Sequence, residues 1–361
     1  MIFWSKPNLN KKDLAHLNYA FESNWISGGQ YINKFENKLK NTLKVKNIFA
    51  TSSGTTAIHL AYLSIGLKKN DEIIIPGYGY LAAANIAKLL GLKIVFAEVD
   101  PNTFCVREQD IKEAVTKRTK AIVIIHTYGN MCEVDKISRF AKKRGIILIE
   151  DAAEAFGSKF KSKFSGTIGD IGIYSFHATK NITTGEGGAV IAKDKQIIDR
   201  LQLYRSHGVF KKRFYHLVPG HNFRLSNLLA SIGYSQLIRI KKIINNRKRL
   251  FFLYKKYLNK DKFQLQLINK KLNFVPWTFS VKINNKFTQL YRDKVIRILY
   301  KKGIETRNGF YSPSELPIFP KKKLTNCLML SRRIICLPFY EQLTEAKVKY
   351  ICSTLDKISK Y

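Results

Sequence analysis

Short apolar runs alternate with helical stretches between about residue 50 and residue 195, and this alternation constrains the fold more than any other feature. Six runs have the length and composition of buried strands: 72–76, 93–99, 120–126, 146–151, 171–176 and 188–192. Three of the intervening stretches have the apolar spacing of helices: 55–65, 80–90 and 134–144. Strands that alternate with helices form parallel βαβ units. The sequence therefore predicts a large α/β domain around a mostly parallel central sheet.

The pattern changes beyond Asn227. Residues 228–258 have helical spacing and become rich in Lys and Arg after Leu237, and weaker strand and helix patterns follow. A chain of 361 residues is long enough for two domains. We predict a large α/β domain with an N-terminal segment over residues 1–240, and a smaller C-terminal α+β domain over residues 241–361.

The charge balance has two interpretations. The chain has 63 Lys and Arg against 26 Asp and Glu, a net charge of +37. Such an excess could bind the phosphates of a nucleic acid. Alternatively, it is a compositional bias, because it is spread over the whole length and no nucleic-acid-binding motif accompanies it. We expect no specific nucleic-acid partner, and note that the same field would attract a small anionic substrate.

Membrane and metal-binding classes are not expected. The longest apolar runs, such as residues 121–125, are far shorter than the roughly 20 residues of a spanning helix. The first residues lack the pattern of a secretory signal, and the five cysteines are scattered without a CxxC pair. We therefore predict a cytoplasmic protein with reduced thiols and no metal site.

Residues 52–56 read Ser-Ser-Gly-Thr-Thr and precede a predicted helix. Free backbone N–H groups, hydroxyls and the positive end of the helix could bind a phosphate there. An ordinary helix cap would use the same residue types. The motif alone does not decide between a phosphate site and a cap.

Carboxylates follow the predicted strand 146–151. Glu150, Asp151 and Glu154 lie at the carboxyl end of this strand, where ligands bind in open α/β sheets. A buried Asp151 needs a cationic partner, and the protonated ring nitrogen of a cofactor would be one. The alternative is that these carboxylates stabilise the N-terminus of a following helix.

Lys180 stands apart from the other lysines of this basic chain. It follows the predicted strand 171–176, precedes a glycine-rich turn at residues 185–188, and has no other lysine between Phe164 and Ala192. Glycines let a backbone approach a ligand closely. A desolvated lysine amine has a lowered pKa and can form a Schiff base with an aldehyde.

Four ordered motifs resemble one known family. They are Gly54-Thr55, EDAAEAFGS from residue 150, SFHATKNITTGEGG from residue 175, and GHNFRLSN from residue 220. Together they are similar to the DegT/DnrJ/EryC1/StrS sugar aminotransferases, over nearly the whole chain from residues 25–29 to 305–307. This resemblance implies aminotransferase fold type I and the cofactor pyridoxal 5′-phosphate (PLP, or PMP in its amine form).

The resemblance also implies roles for the residues around the cofactor ring. Lys180 would join the cofactor aldehyde covalently and then move protons as general base and acid. Asp151 would pair with the ring nitrogen and keep it protonated, and Glu154 would lie near the ring hydroxyl. Tyr80 would stack on the ring, with Tyr78 as a nearby competitor.

A second set of positions matches the family's phosphate site. Gly54, Thr55, Thr56 and Ser175 would cradle the cofactor phosphate. Asn222, with Arg224 as an adjacent alternative, would reach that phosphate from the neighbouring subunit. The resemblance therefore implies a homodimer with shared active sites.

The implied substrates are L-glutamate and a nucleotide-linked 4-keto-6-deoxyhexose destined for a surface polysaccharide. The candidate substrate contacts lie in or beside the family motifs: Trp25, Ser27, His126, His177, Arg307 and Tyr311. Asn308 stands where relatives often have Pro. The nucleotide (GDP, UDP or dTDP) and the aminated carbon (C4 or C3) stay open, as does a non-catalytic homologue. A related sugar 3-dehydratase is disfavoured, because it has His in place of the lysine.

Overall fold

The computed structural model describes residues 1–209, 212–284 and 288–358. Its α-helices are α1 (Lys11–Glu22), α2 (Gln30–Leu43), α3 (Gly54–Ser64), α4 (Ala82–Leu89), α5 (Glu108–Ala114), α6 (Val134–Lys143), α7 (Lys195–Arg205), α8 (Asn227–Ile238), α9 (Ile240–Tyr257), α10 (Gln289–Lys301), α11 (Thr325–Arg333) and α12 (Glu345–Ile358). Its strands are β1 (Phe49–Thr51), β2 (Glu72–Pro76), β3 (Lys93–Ala97), β4 (Thr119–Ile125), β5 (Ile147–Asp151), β6 (Lys159–Phe160), β7 (Lys163–Phe164), β8 (Ile171–Ser175), β9 (Gly188–Ala192), β10 (Phe263–Leu265), β11 (Leu272–Asn273), β12 (Phe279–Ile283), β13 (Arg307–Asn308) and β14 (Ile334–Leu337).

A seven-stranded sheet forms the centre of the large domain, in the order β1-β9-β8-β5-β4-β2-β3. The predicted α/β domain and mostly parallel sheet are confirmed, because β3, β2, β4, β5 and β8 pair in parallel. Strand β9 differs from the expected βαβ pattern and runs antiparallel to β8 and β1. The connection from β8 to β9 contains no helix, whereas parallel neighbours usually need a helical crossover.

The carboxyl ends of three neighbouring strands meet at one edge of this sheet. They are β4, β5 and β8, which end at Ile125, Asp151 and Ser175. The N-terminus of α3 lies at the same edge, because β1 ends at Thr51 and the chain turns directly into this helix. Fully buried Ile, Val and Ala side chains on the strands hold the edge rigidly against the flanking helices.

The predicted helix at residues 228–258 is two helices. The chain bends at Arg239, where α8 ends and α9 begins. Helix α8 packs closely on α1 and α2, while α9 carries most of its Lys and Arg on exposed positions and leads to the smaller domain. Arg247 is the exception on α9, since its side chain is buried.

The smaller domain contains an antiparallel sheet in the order β10-β12-β14-β13, covered by α9, α10 and α12. The first residues of the chain make hydrogen bonds to this domain, and Trp4 also packs against the core of the central sheet. The Ile2 N–H donates to the Gly303 carbonyl at 2.7 Å, and the Phe339 N–H donates to the Trp4 carbonyl at 2.9 Å. The boundary between residues 240 and 241 stays a prediction.

The described residues include no helix that is both long enough and apolar enough to cross a bilayer. All five cysteines are buried and unpaired.

Candidate active site

A cavity of about 680 Å³ opens at the carboxyl edge of the central sheet, between the two domains. Among its lining residues are ten of those predicted from sequence: Gly54, Thr55, Tyr80, Asp151, Glu154, Ser175, His177, Lys180, Arg307 and Tyr311. The large domain supplies the first eight, and the smaller domain supplies the last two. The fold thus brings separate motifs into one site.

The N-terminus of α3 forms one end of the cavity. The Ser53 hydroxyl caps this helix by accepting from the Thr56 N–H at 3.0 Å, and Gly54 and Thr55 at the start of the helix line the cavity. Glycine is required at position 54, because a Cβ there would lie 2.9 Å from the Ser175 Cβ. Backbone N–H groups at a helix N-terminus, together with the adjacent Thr55 and Ser175 hydroxyls, fit a phosphate group.

Thr56 is placed differently from the prediction. Its hydroxyl completes the capping box by accepting from the Ser53 N–H at 2.9 Å, and the side chain is not among the groups that line the cavity. A capping hydroxyl already has its hydrogen bonds inside the helix end. The structure thus shows Thr56 in the helix cap, and its predicted place in the phosphate cradle stays a prediction.

Asp151 is a buried acid on the cavity wall. One carboxylate oxygen accepts from the Ala153 N–H at 3.0 Å. Burial raises the pKa of Asp151, while this hydrogen bond and the charge of Lys180 act in the opposite direction. A cationic ring nitrogen beside Asp151 would satisfy the carboxylate and lower its pKa, so the position fits a protonated pyridine ring.

His126 and Glu150 form a fully buried pair behind Asp151. The imidazole Nε2 lies 2.8 Å from a Glu150 oxygen, and the Cys132 N–H donates to Nδ1. Burial alone would raise the pKa of Glu150, but hydrogen bonds from His126 and from the Gly166 and Gly169 amides lower it. His126 therefore supports the sheet edge, and its ring has no exposed surface and does not line the cavity, so its contact with substrate stays a prediction that the geometry does not support.

Lys180 and Glu154 form an ion pair in the wall of the cavity. The Lys180 Nζ lies 3.9 Å from Glu154 Oε1. Burial lowers the pKa of Lys180, and the two carboxylates of Glu154 and Asp151 oppose that change. Glu154 Oε2 accepts from the Tyr128 N–H at 2.9 Å, whereas the buried Oε1 has no hydrogen-bond partner among the described residues. Burial raises the pKa of Glu154 to about 7.

The two tyrosines of the residue 76–80 turn have different environments. Tyr78 is fully buried, and its hydroxyl lies 2.9 Å from the Tyr128 hydroxyl. Tyr80 is 62% exposed and lines the cavity, with its ring 6.2 Å from that of Phe310. A ring that stacks on a ligand must have a free face, so Tyr80 is the better candidate of the two.

The candidate substrate residues divide into two groups. Arg307, Tyr311 and His177 line the cavity, and Arg307 forms an ion pair with Glu305 at 2.6 Å. The second group, Trp25 and Ser27, is exposed and lies outside the chain's own cavity, as does Asn222, the residue predicted to reach the phosphate of a neighbouring subunit. Trp25 is 69% exposed, which is unusual for so large an apolar ring.

Aromatic residues that sequence analysis missed complete the cavity wall. The rings of Tyr128 and Phe310 stack at 5.3 Å, and the ring of Trp277 lies parallel to Phe310 at 6.5 Å. Tyr128, in the short turn that follows β4, has φ +60°, a conformation that non-glycine residues adopt rarely and often at functional sites. No local sequence signal singles out Trp277, which precedes an ordinary strand.

The model of the "DegT/DnrJ/EryC1/StrS aminotransferase family" matches residues 7–356 of this chain. GDP-perosamine synthase of Escherichia coli O157:H7 is 36% identical over 356 residues, covering 98% of this chain and 97% of that protein. The Vibrio cholerae protein of the same name is 33% identical and covers 97% of each.

The fold is also similar to solved structures. The aminotransferase TlmJ from Streptoalloteichus hindustanus superposes with a TM-score of 0.94 at 26% identity, covering 100% of this chain and 99% of the other. Helicobacter pylori PseC, an aminotransferase involved in the biosynthesis of pseudoaminic acid, has a TM-score of 0.93 at 25% identity and covers 100% of both chains.

Proposed function

Because the chain belongs to the DegT/DnrJ/EryC1/StrS aminotransferase family, we propose that it moves the amino group of L-glutamate to C4 of a GDP-linked 4-keto-6-deoxyhexose. The protein is a PLP-dependent sugar aminotransferase. The observation that carries the proposal is the position of Lys180 beside Asp151 and Glu154, in the cavity that the N-terminus of α3 closes.

Bound PLP supplies an aldehyde and an electron-withdrawing ring. We propose that the α3 amides, Thr55 and Ser175 hold its phosphate, and that Asp151 stabilises the charge on its ring nitrogen. Tyr80 would cover one face of the ring. The Lys180 amine would be the covalent attachment point and, once released, would move a proton between the nitrogen-bearing carbon of the substrate and the cofactor carbon, as general base and acid.

One cavity must then accept two different anions in turn, glutamate and a nucleotide sugar. We propose that Arg307 binds their negative groups, because a guanidinium forms paired hydrogen bonds to carboxylates and phosphates. Tyr311 and His177 also line the cavity and would contact the sugar or its diphosphate. Asn308, beside Arg307, lines the cavity as well.

The choice of GDP is supported by the two relatives named GDP-perosamine synthase. A third relative, from Campylobacter jejuni, is a "UDP-4-amino-4,6-dideoxy-N-acetyl-beta-L-altrosamine transaminase", 34% identical over 72% of this chain. Its name supports amination at C4 of a 6-deoxy sugar and makes UDP the second candidate nucleotide. A product of this type would feed a surface polysaccharide, and the unpaired buried cysteines support a cytoplasmic location.

A substrate panel tests the assignment. The PMP form of the enzyme is mixed with GDP-, UDP- and dTDP-linked 4-keto-6-deoxyhexoses and with 3-keto isomers, and the return of the visible absorbance of the lysine-linked cofactor is followed. We expect the GDP-linked 4-keto sugar to restore the band fastest at equal concentration. Faster return with a UDP- or dTDP-linked sugar, or with a 3-keto isomer, would contradict the proposed substrate.

The group of exposed motif residues supports a shared site. Asn222 is exposed, and its side-chain oxygen accepts from the Arg224 side chain at 3.1 Å. Trp25 and Ser27 are exposed as well. We propose a homodimer in which Asn222 reaches the cofactor phosphate of the partner subunit, and in which Trp25 and Ser27 border the partner's cavity.

Hybrid dimers test this proposal. Lys180→Ala and Asn222→Ala chains with different tags are co-expressed, and dimers that carry both tags are purified. If sites are shared, one site of each hybrid has both changes and the other has neither, so the hybrid should keep about half of wild-type activity. If each site belongs to one chain, both sites of the hybrid carry a change, and activity stays at the level of the separate variants.

A further inference from the structure

The indole ring of Trp277 lies against the amine of Lys180. The Nζ is 4.0 Å from the ring centroid, closer than the 6 Å at which a cation and an aromatic face attract. Trp277 is only 8% exposed, so water has little access to this contact. The amine also lies 3.9 Å from Glu154 Oε1, which is beyond hydrogen-bond distance.

Trp277 is fixed relative to the lysine by hydrogen bonds. Its indole N–H donates to the Thr179 carbonyl at 2.8 Å, directly before Lys180. The buried guanidinium of Arg247 donates to the Trp277 carbonyl at 3.0 Å and to the Lys180 carbonyl at 3.4 Å. The smaller domain therefore presents one aromatic face to the catalytic amine at a set distance.

Two further aromatic rings pack against the indole of Trp277. Trp4 packs edge-on against it at 5.9 Å, and Phe310 lies parallel to it at 6.5 Å. A ring packed on several sides cannot turn away from the amine without a cavity being opened. The packing of the folded chain therefore fixes the position of the Trp277 ring relative to the amine.

We propose that Trp277 is a positioning residue that holds the protonated amine of Lys180 whenever this amine is not joined to the cofactor. The inference rests on the proposed function, in which Lys180 is released when the cofactor is converted to its amine form. A free ammonium in a largely buried site needs a partner, and here neither carboxylate is within hydrogen-bond distance of it in the described structure. The electron-rich face of the indole provides attraction without forming a bond that must later be broken.

The charged and titratable groups around Lys180 are Glu154 and Asp151 from the β5 edge, Arg247 from α9, and Tyr128 and Cys336 on the cavity wall. The two carboxylates and the indole favour the ammonium form, whereas burial favours the neutral amine. Removing the indole should therefore lower the pKa of Lys180 further. Because the charges of Glu154 and Lys180 shift each other's pKa, the midpoint belongs to the pair rather than to one residue.

The test follows the visible band that forms when PLP is added to the cofactor-free full-length protein at a series of pH values. Only the neutral amine adds to the aldehyde, with loss of one water, so the rate rises with pH around the midpoint of Lys180. For Trp277→Leu we expect this midpoint to fall by about one pH unit, the usual strength of a desolvated cation–aromatic contact. Trp277→Phe keeps a ring and should shift by less than about half as much.

The two variants form a matched pair, because both lose the indole N–H bond to Thr179 and only one loses the ring. Phe252→Leu removes an exposed aromatic side chain of α9 that does not line this cavity, and should leave the midpoint in place. Equal shifts in the Leu and Phe variants, or no shift in either, would overturn the inference. If Trp277→Leu does not fold, Trp277→Met replaces it with the same expectation.

A failure of this inference can be distinguished from a failure of the proposed function. If wild-type protein forms no visible band with PLP at any pH, or if Lys180→Ala still forms it, the proposed function fails. If the wild-type band forms and depends on Lys180, but its pH midpoint is the same in the wild-type protein and in the Trp277 variants, only the role of Trp277 fails.

Discussion

Replacing Lys180 by alanine should abolish the visible band of bound PLP and reduce transamination by more than about 10²–10⁴-fold, the range lost when a general acid–base group alone is removed. The change removes both the covalent attachment point and the proton carrier. The amine is the one lysine group on the described wall of the cavity, next to Asp151 and Glu154. Absorbance spectra and steady-state rates with glutamate measure the two effects.

Two further variants test whether the loss of activity is due to the missing amine of Lys180, rather than to the missing charge or to a disturbed fold. Lys180→Arg keeps a positive charge but cannot join an aldehyde, so it should be as inactive as the alanine variant. Lys193→Ala removes the next lysine along the chain, which follows β9 and donates to the Ile168 carbonyl away from the cavity. It should keep the band and near wild-type rates. Full turnover of Lys180→Ala would contradict the assigned role.

Replacing Asp151 by asparagine should lower kcat by about 10²–10³-fold, the cost of removing one preorganised charge from a site of this kind. Asparagine has nearly the same shape and can still accept from the Ala153 N–H, so the fold should be retained. Without the carboxylate, the cofactor ring nitrogen loses the partner that keeps it protonated, and the ring withdraws electrons less strongly. Rates and urea unfolding curves measure both properties.

Asp170→Asn is the matched control for this variant. Asp170 is hydrogen-bonded to the opposite end of β5, where its carboxylate accepts from the Leu148 N–H at 2.8 Å. We expect it to affect stability without a loss of kcat. Near wild-type rates for Asp151→Asn, or equal losses in both variants, would show that Asp151 does not act on the ring.

Much of the large domain could be predicted because its strands are local, apolar and separated by helices. The edge where β4, β5 and β8 end follows from that alternation, since parallel strands place their carboxyl ends together. The motif residues at this edge, including Asp151, Glu154 and Lys180, therefore entered one cavity as expected. Their roles toward the cofactor and substrates stay predictions.

The remaining features depend on contacts between distant parts of the chain. Trp277 reaches Lys180 only because the smaller domain folds back on the large one, and no local pattern encodes that approach. His126 follows a strand at the functional edge, but pairing with Glu150 turned its ring into the interior. Thr56 has the right residue type for a phosphate site and was instead used by the helix cap.

The most direct test of the central claim locates the cofactor on the chain. Protein purified with PLP is reduced with borohydride, which fixes the lysine-linked cofactor permanently, and its peptides are mapped by mass spectrometry. We expect the mass of the reduced cofactor on the peptide that contains Lys180, and on no other lysine. Label on a different lysine, or protein that binds PLP without a covalent link, would contradict the account of this active site.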